Sequence, residues 1–107
     1  MPEVLELDEH SFDQAIARAD HPVLVDFWAS WCGSCRLMMP SVHQLSEELV
    51  DDLRVAKVDV EAHAELADRL GVKSIPTLIM YRAGAEIMRI SGVKSKAELM
   101  RLVKEAL

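Results

Sequence analysis

Cys32 and Cys35 are the only cysteines in the chain, and they lie in Trp28-Ala29-Ser30-Trp31-Cys32-Gly33-Ser34-Cys35, which also holds both tryptophans. Two thiols separated by two residues can close a small disulfide ring across the first turn of a helix. A thiol at the start of a helix also meets unpaired backbone N–H groups and the positive end of the helix dipole. Both favour thiolate over thiol. The chemistry this points to is reversible dithiol–disulfide exchange. The bland alternatives are two small buried hydrophobes or half a zinc site. Zinc needs further ligands, and His10, His21, His43 and His63 lack the paired spacing of a zinc motif, so no metal is expected.

The residues around the pair supply the strand and helix it needs. Val23-Leu24-Val25-Asp26-Phe27 is an apolar run of strand length with one carboxylate inside it, and Val23 to Trp28 reads as a buried strand. After the cysteines, Met38, Val42, Leu45 and Leu49 recur at helical spacing. Pro40 lies within that helix, where a kink rather than a stop is expected, and Asp51-Asp52 ends it.

Upstream, Val4 to Leu7 is a short strand candidate. Ser11 and Gln14 form a capping-box pattern ahead of Phe12, Ala15, Ile16 and Ala19 at helical spacing, and His21-Pro22 breaks that helix. Downstream, Arg54 to Val60 reads as a strand. Ala62, Leu66, Ala67 and Leu70 make a short helix with Gly71 at its C-terminal cap. Thr77 to Tyr81 and Glu86 to Ile90 form a hairpin through Ala83-Gly84, followed by a turn at Ser91-Gly92. Ser95 and Glu98 make a second capping box before Leu99, Leu102, Val103 and Ala106. The methionines Met38, Met39, Met80, Met88 and Met100 read as core or near-core packing. The order β-α-β-α-β-α-β-β-α predicts an α/β fold, with parallel crossover units first, an antiparallel hairpin last and helices on both faces of a mixed sheet.

Composition narrows the function. The 107 residues suit one domain with a single core, and 50% are hydrophobic. A net charge of −6 argues against a nucleic-acid surface, and no apolar run is long enough to span a membrane. Met1-Pro2-Glu3-Val4 shows no signal-peptide pattern, and two cysteines are too few for a disulfide scaffold, so a cytoplasmic setting is expected.

The chain resembles the thioredoxin family from end to end. The resemblance rests on Leu24-Val25-Asp26-Phe27-Trp28-Ala29, Trp31-Cys32-Gly33-x-Cys35, Pro40, Lys57-Val58-Asp59, Ile75-Pro76-Thr77-Leu78, Gly84 and Gly92. It implies a thioredoxin fold, a central five-stranded sheet flanked by four helices, and a cis peptide bond before Pro76 beside the cysteines. The implied activity is reduction of disulfides in other proteins, with electrons restored by a thioredoxin reductase. No cofactor is expected, and the chain is expected to act as a monomer. Three positions depart from the family pattern. Ser34 replaces the usual proline between the cysteines, Ser91 stands where an apolar residue is common, and Ser74 stands where glycine or another small residue is usual.

Cys32, the more N-terminal and more exposed thiol, is expected to attack a substrate disulfide, and Cys35 to resolve the mixed disulfide. Asp26 in its apolar run should have a raised pKa and take up the Cys35 proton through water, and the resemblance favours this with Lys57 tuning the charge. The alternative is a structural aspartate paired with Lys57. Trp31, Gly33, Ile75, Pro76 and Gly92 would form a substrate platform around Cys32. Val60 and Val93 are either part of it or ordinary rim packing, and Trp28 reads as structural. Ser34 should tune redox poise through a backbone N–H or a hydroxyl near the Cys32 sulfur. Two other classes fit the same residues. A dithiol oxidant or isomerase would show a strongly oxidising potential, and a non-catalytic binding module would keep its activity with both cysteines changed to serine.

Overall fold

The computed structural model describes residues 4–17 and 20–107. Its strands are β1 (Leu5–Glu6), β2 (Val23–Trp28), β3 (Arg54–Asp59), β4 (Thr77–Arg82) and β5 (Ala85–Ser91). The helices are α1 (Phe12–Ala17), α2 (Gly33–Glu48), α3 (Ala64–Arg69) and α4 (Lys96–Ala106). The strands form one sheet in the order β1-β3-β2-β4-β5. β1 and β2 run parallel to β3, while β4 is antiparallel to both β2 and β5, so the sheet is mixed as expected. β2 lies at the centre, between β3 and β4, and Val23 to Phe27 are all buried, Asp26 included.

Alternation along the strands divides the core into two layers. On one face Leu24, Val55, Leu78 and Met80 pack against Met38, Val42 and Leu45 of α2 and Leu99 and Val103 of α4. On the other, Val25, Phe27, Ala56, Val58, Ile79 and Tyr81 meet Phe12 and Ile16 of α1 and Leu66 of α3. Asp26 follows the alternation of Leu24, which directs its carboxylate into the α2/α4 layer. Met38 and Met80 are core residues, and Met88 and Met100 pack against the same layer half-buried.

The helix ends differ from expectation in instructive ways. The box at α1 forms one turn earlier than the Ser11–Gln14 pattern suggested. The Asp8 carboxylate accepts the Ser11 N–H at 2.9 Å, and the Ser11 hydroxyl oxygen accepts the Asp8 N–H at 3.0 Å. Those bonds to the carboxylate hold the Asp8 pKa below its ordinary value. Ala19, expected on this helix, lies outside the described residues. At α4 the Ser95 hydroxyl accepts the Glu98 N–H at 3.2 Å, but the Glu98 side chain turns to Arg101 instead of closing the box. α3 begins at Ala64, later than Ala62, because Asp59 accepts the Glu61 and Ala62 N–H groups in a turn before it. Gly71 takes φ +71° and donates to the Asp68 carbonyl, ending α3 as its C-terminal cap. Pro40 is exposed within an otherwise continuous α2. Ser91, expected in a turn, is the last residue of β5.

Candidate functional site

The site forms where β2 gives way to α2. The Cys32 N–H donates to the Ala29 carbonyl at 3.1 Å, turning the chain at the end of the strand. Cys32 then occupies the N-cap of α2 in an extended conformation, and its Sγ accepts the Cys35 N–H at 3.2 Å. A sulfur here does what a serine or aspartate oxygen does at other helix starts: it satisfies a backbone donor that has no partner within the helix. Negative charge on that sulfur strengthens the bond, so the position favours thiolate. The two sulfurs are joined as a disulfide, with Cα atoms 5.3 Å apart. Both residues are buried, Cys32 at 5% exposure and Cys35 at 2%, so the expected difference in exposure is present but small.

Ser34 Oγ lies 3.4 Å from Cys32 Sγ. Of the two Ser34 donors expected near that sulfur, the hydroxyl is in place. The backbone N–H bonded to Sγ belongs to Cys35 instead, because the third residue of a helix is the one whose N–H faces the cap.

The second wall of the site comes from the segment before β4. The Ile75–Pro76 peptide bond is cis, as the resemblance implied. Ile75 packs half-buried against the cluster of Ala29, Cys32 and Cys35, together with Trp28 and Val60. Pro76 is buried, and its carbonyl accepts the Gly92 N–H at 2.9 Å, tying the end of β5 to this wall. Gly92 has φ +87°, a conformation only glycine adopts without strain.

Between the walls lies an open groove of about 510 Å³. Trp31, Cys32, Gly33, Ser34, Val60 and Ile75 line it, and Trp31 is largely exposed beside the half-buried Ile75. Pro76, Gly92 and the exposed Val93 are not among the residues that line it. Sequence reasoning missed Val72 and Lys73 as lining residues and treated Ser74 only as a departure. Their position immediately before Ile75-Pro76 was the available signal.

Asp26 is 1% exposed, and its Oδ1 has no hydrogen-bond partner among the described residues. Burial pushes its pKa up to about 7, with the Lys57 charge pulling the other way. Lys57 is its register neighbour on β3, yet no ion pair joins the two side chains among the described residues. The Lys57 ammonium instead lies 5.2 Å from the centroid of the Trp28 ring, a cation–π contact. The paired structural aspartate considered from sequence is therefore not what forms. The carboxylate is enclosed and poorly partnered, able to hold or release a proton near neutral pH. No helix of the described residues is long and apolar enough to cross a membrane.

The family model described as Thioredoxin matches residues 3–105. A thioredoxin of Mycolicibacterium smegmatis is 44% identical over 101 residues, covering 92% of this chain and 90% of its own. A thioredoxin of Mycobacterium tuberculosis (strain ATCC 25618 / H37Rv) is 42% identical over 97 residues, 91% of this chain and 84% of its own. A bifunctional thioredoxin reductase/thioredoxin of Mycobacterium leprae is 41% identical over 97 residues, which span 91% of this chain and 21% of that protein.

Proposed function

The chain belongs to the thioredoxin family and is a protein-disulfide reductase, and from that premise we propose how its residues divide the reaction. An extended substrate segment lies in the groove over Trp31, Gly33 and Ile75, with Pro76 and Gly92 holding the second wall of the site. The Cys32 thiolate attacks one sulfur of the substrate disulfide. A bond forms between that sulfur and Cys32 Sγ, the substrate S–S bond breaks, and the second substrate sulfur leaves as a thiolate that takes a proton from solvent. Cys35 then gives its proton, through water, to the Asp26 carboxylate and attacks Cys32 Sγ. The mixed disulfide breaks, the first substrate sulfur leaves reduced, and the Cys32–Cys35 disulfide closes. Two electrons pass from the dithiol to the substrate.

The observation that carries this division is the place of Cys32: it lines the groove and its Sγ accepts the Cys35 N–H, while Cys35 is more buried and is not among the lining residues. Asp26, buried on the strand that leads into the cysteine turn and with a pKa raised to about 7, suits a group that takes a proton in one step and returns it later. Lys57, held over Trp28 and not on the carboxylate, limits how far that pKa rises. Electrons return from a thioredoxin reductase, a reading supported by the M. leprae protein whose name joins the two activities. The protein works as a single-domain monomer in the reducing cytoplasm, without a cofactor and without nucleic acid or membrane partners.

The test is trapping. Cys35→Ser protein should accumulate a mixed disulfide with substrate through Cys32, seen as an intact adduct by mass spectrometry. Cys32→Ser protein should form none. An adduct through Cys35 in the Cys32→Ser protein, with none in the reverse variant, would reverse the assignment.

A further inference from the structure

Among the residues lining the groove beside Cys32, Lys73 is the one that carries a charge; the others are apolar or neutral. It is exposed, and no carboxylate of the described residues pairs with it. Two other cations near this face, Arg36 and Lys94, lie outside the lining and are turned to backbone carbonyls, which orient them without neutralising them. Arg36 donates to the Ser30 carbonyl, and Lys94 donates to the Ser91 carbonyl at 3.3 Å. A free ammonium at the groove also runs against the sign of the molecule, whose net charge is −6. The long-range field disfavours acidic partners, but at physiological ionic strength it fades within about 8 Å, and contact charges then decide selection in the groove.

The spacing says which part of a substrate the ammonium meets. Lys73 is two residues before Ile75, whose side chain packs against the Cys32–Cys35 cluster. An extended peptide rises ~3.3 Å per residue and presents alternate side chains to the same face. A residue two positions from the attacked half-cystine therefore lies ~7 Å along the groove on the same side as the sulfur, within reach of a lysine at this place. We propose that Lys73 is a specificity-determining residue that selects disulfide-bearing protein segments with Asp or Glu two residues from the attacked cysteine. This rests on the reductase reading above and names the substrate class for the same site. The contact is solvent-exposed, so its effect is modest, about two- to fivefold in kcat/KM.

The experiment uses two disulfide-linked peptides, identical except for Asp or Lys two residues from the half-cystine, and takes the ratio of their kcat/KM values within each protein. That internal ratio cancels any general change in activity caused by a substitution. The parent should favour the Asp peptide about two- to fivefold, with the preference shrinking as salt is raised. Lys73→Gln should bring the ratio close to one, and Lys73→Glu should invert it. A ratio that is the same in the parent and Lys73→Glu, with both peptides reduced, overturns the assignment of Lys73 and leaves the reductase reading standing. Failure of the parent to reduce either peptide overturns both.

Discussion

A buried, poorly partnered carboxylate has a pH-dependent cost, and Asp26 allows that cost to be worked out. Its pKa is raised from 3.8 to about 7 in the folded protein, so between those values the native state binds more protons than the unfolded one. Stability contributed by the protonated form is complete below the unfolded pKa and is lost as pH rises through the folded one. The difference corresponds to roughly 4 kcal/mol at 1.36 kcal/mol per decade, an upper bound for a group that can relax toward water. Asp26→Ala should therefore unfold at higher denaturant than the parent at pH 8, by roughly 2–4 kcal/mol, and the gain should shrink toward zero near pH 4. Resolution of the mixed disulfide should slow in the same variant. Denaturant melts at the two pH values test the first part, and an equal difference at both would sink the linkage. Ser34 supports a second expectation, since its hydroxyl lies 3.4 Å from Cys32 Sγ. A donor there stabilises thiolate, hence the reduced form, and raises the potential. Ser34→Pro should make the protein more reducing by roughly 30 mV, the equivalent of ~1.4 kcal/mol for a two-electron couple. Equilibration with glutathione buffers measures this, and an unchanged or more oxidising Ser34→Pro protein would refute the donor argument.

Elements bring their own test at the β4–β5 hairpin. Its two-residue loop places Ala83 at φ +51° and Gly84 at φ +85°, the pattern of a turn that matches the twist of the strands. Gly84 adopts this freely, and its N–H donates to the Ile16 carbonyl at 3.0 Å. Ala83 has a Cβ that crowds the left-handed region, at a cost of about 1 kcal/mol. Asparagine is favoured there, so Ala83→Asn should stabilise the protein by about 0.5–1 kcal/mol and raise Tm by a few degrees. A lower Tm would show that the turn is not the source of strain. The hairpin, the central strand and the α2 start were all legible before the fold was known, because each is written in a local pattern: an apolar run, a period, a turn pair. The Asp8–Ser11 box was misplaced because polar residues three apart occur twice in that segment, and only the backbone donors show which pair closes. Lys73 escaped notice because loop residues have no period to betray them, and its place in the groove depends on packing that brings residues 72–75 against Cys32. The strand order β1-β3-β2-β4-β5 was equally hidden, since pairing between distant segments leaves no mark on either one alone.

At the scale of the whole molecule, a redox centre that cycles must not hold the fold together. The two core layers meet this condition: Leu24, Leu45, Leu78 and Leu99 on one side and Phe12, Phe27 and Leu66 on the other are fully buried without involving either sulfur. Cys32 and Cys35 form a separate small cluster at the end of β2. The ring they close has a sequence separation of 3, so the unfolded chain loses little freedom, roughly 2 kcal/mol by loop-closure entropy. Linkage turns that figure into a potential. If oxidation stabilises the folded state by roughly 2 kcal/mol, the folded disulfide is harder to reduce than the unfolded one by about 40 mV. The Cys35 N–H and the Ser34 hydroxyl act in the opposite direction by stabilising the thiolate, so the net difference should be smaller. The oxidised protein should therefore melt above the reduced protein by no more than about 10 °C, with the same far-UV circular dichroism in both. Calorimetry of the two forms at one pH tests this. A difference beyond about 20 °C, or loss of helix on reduction, would mean that the disulfide is structural and that the two layers do not stand without it.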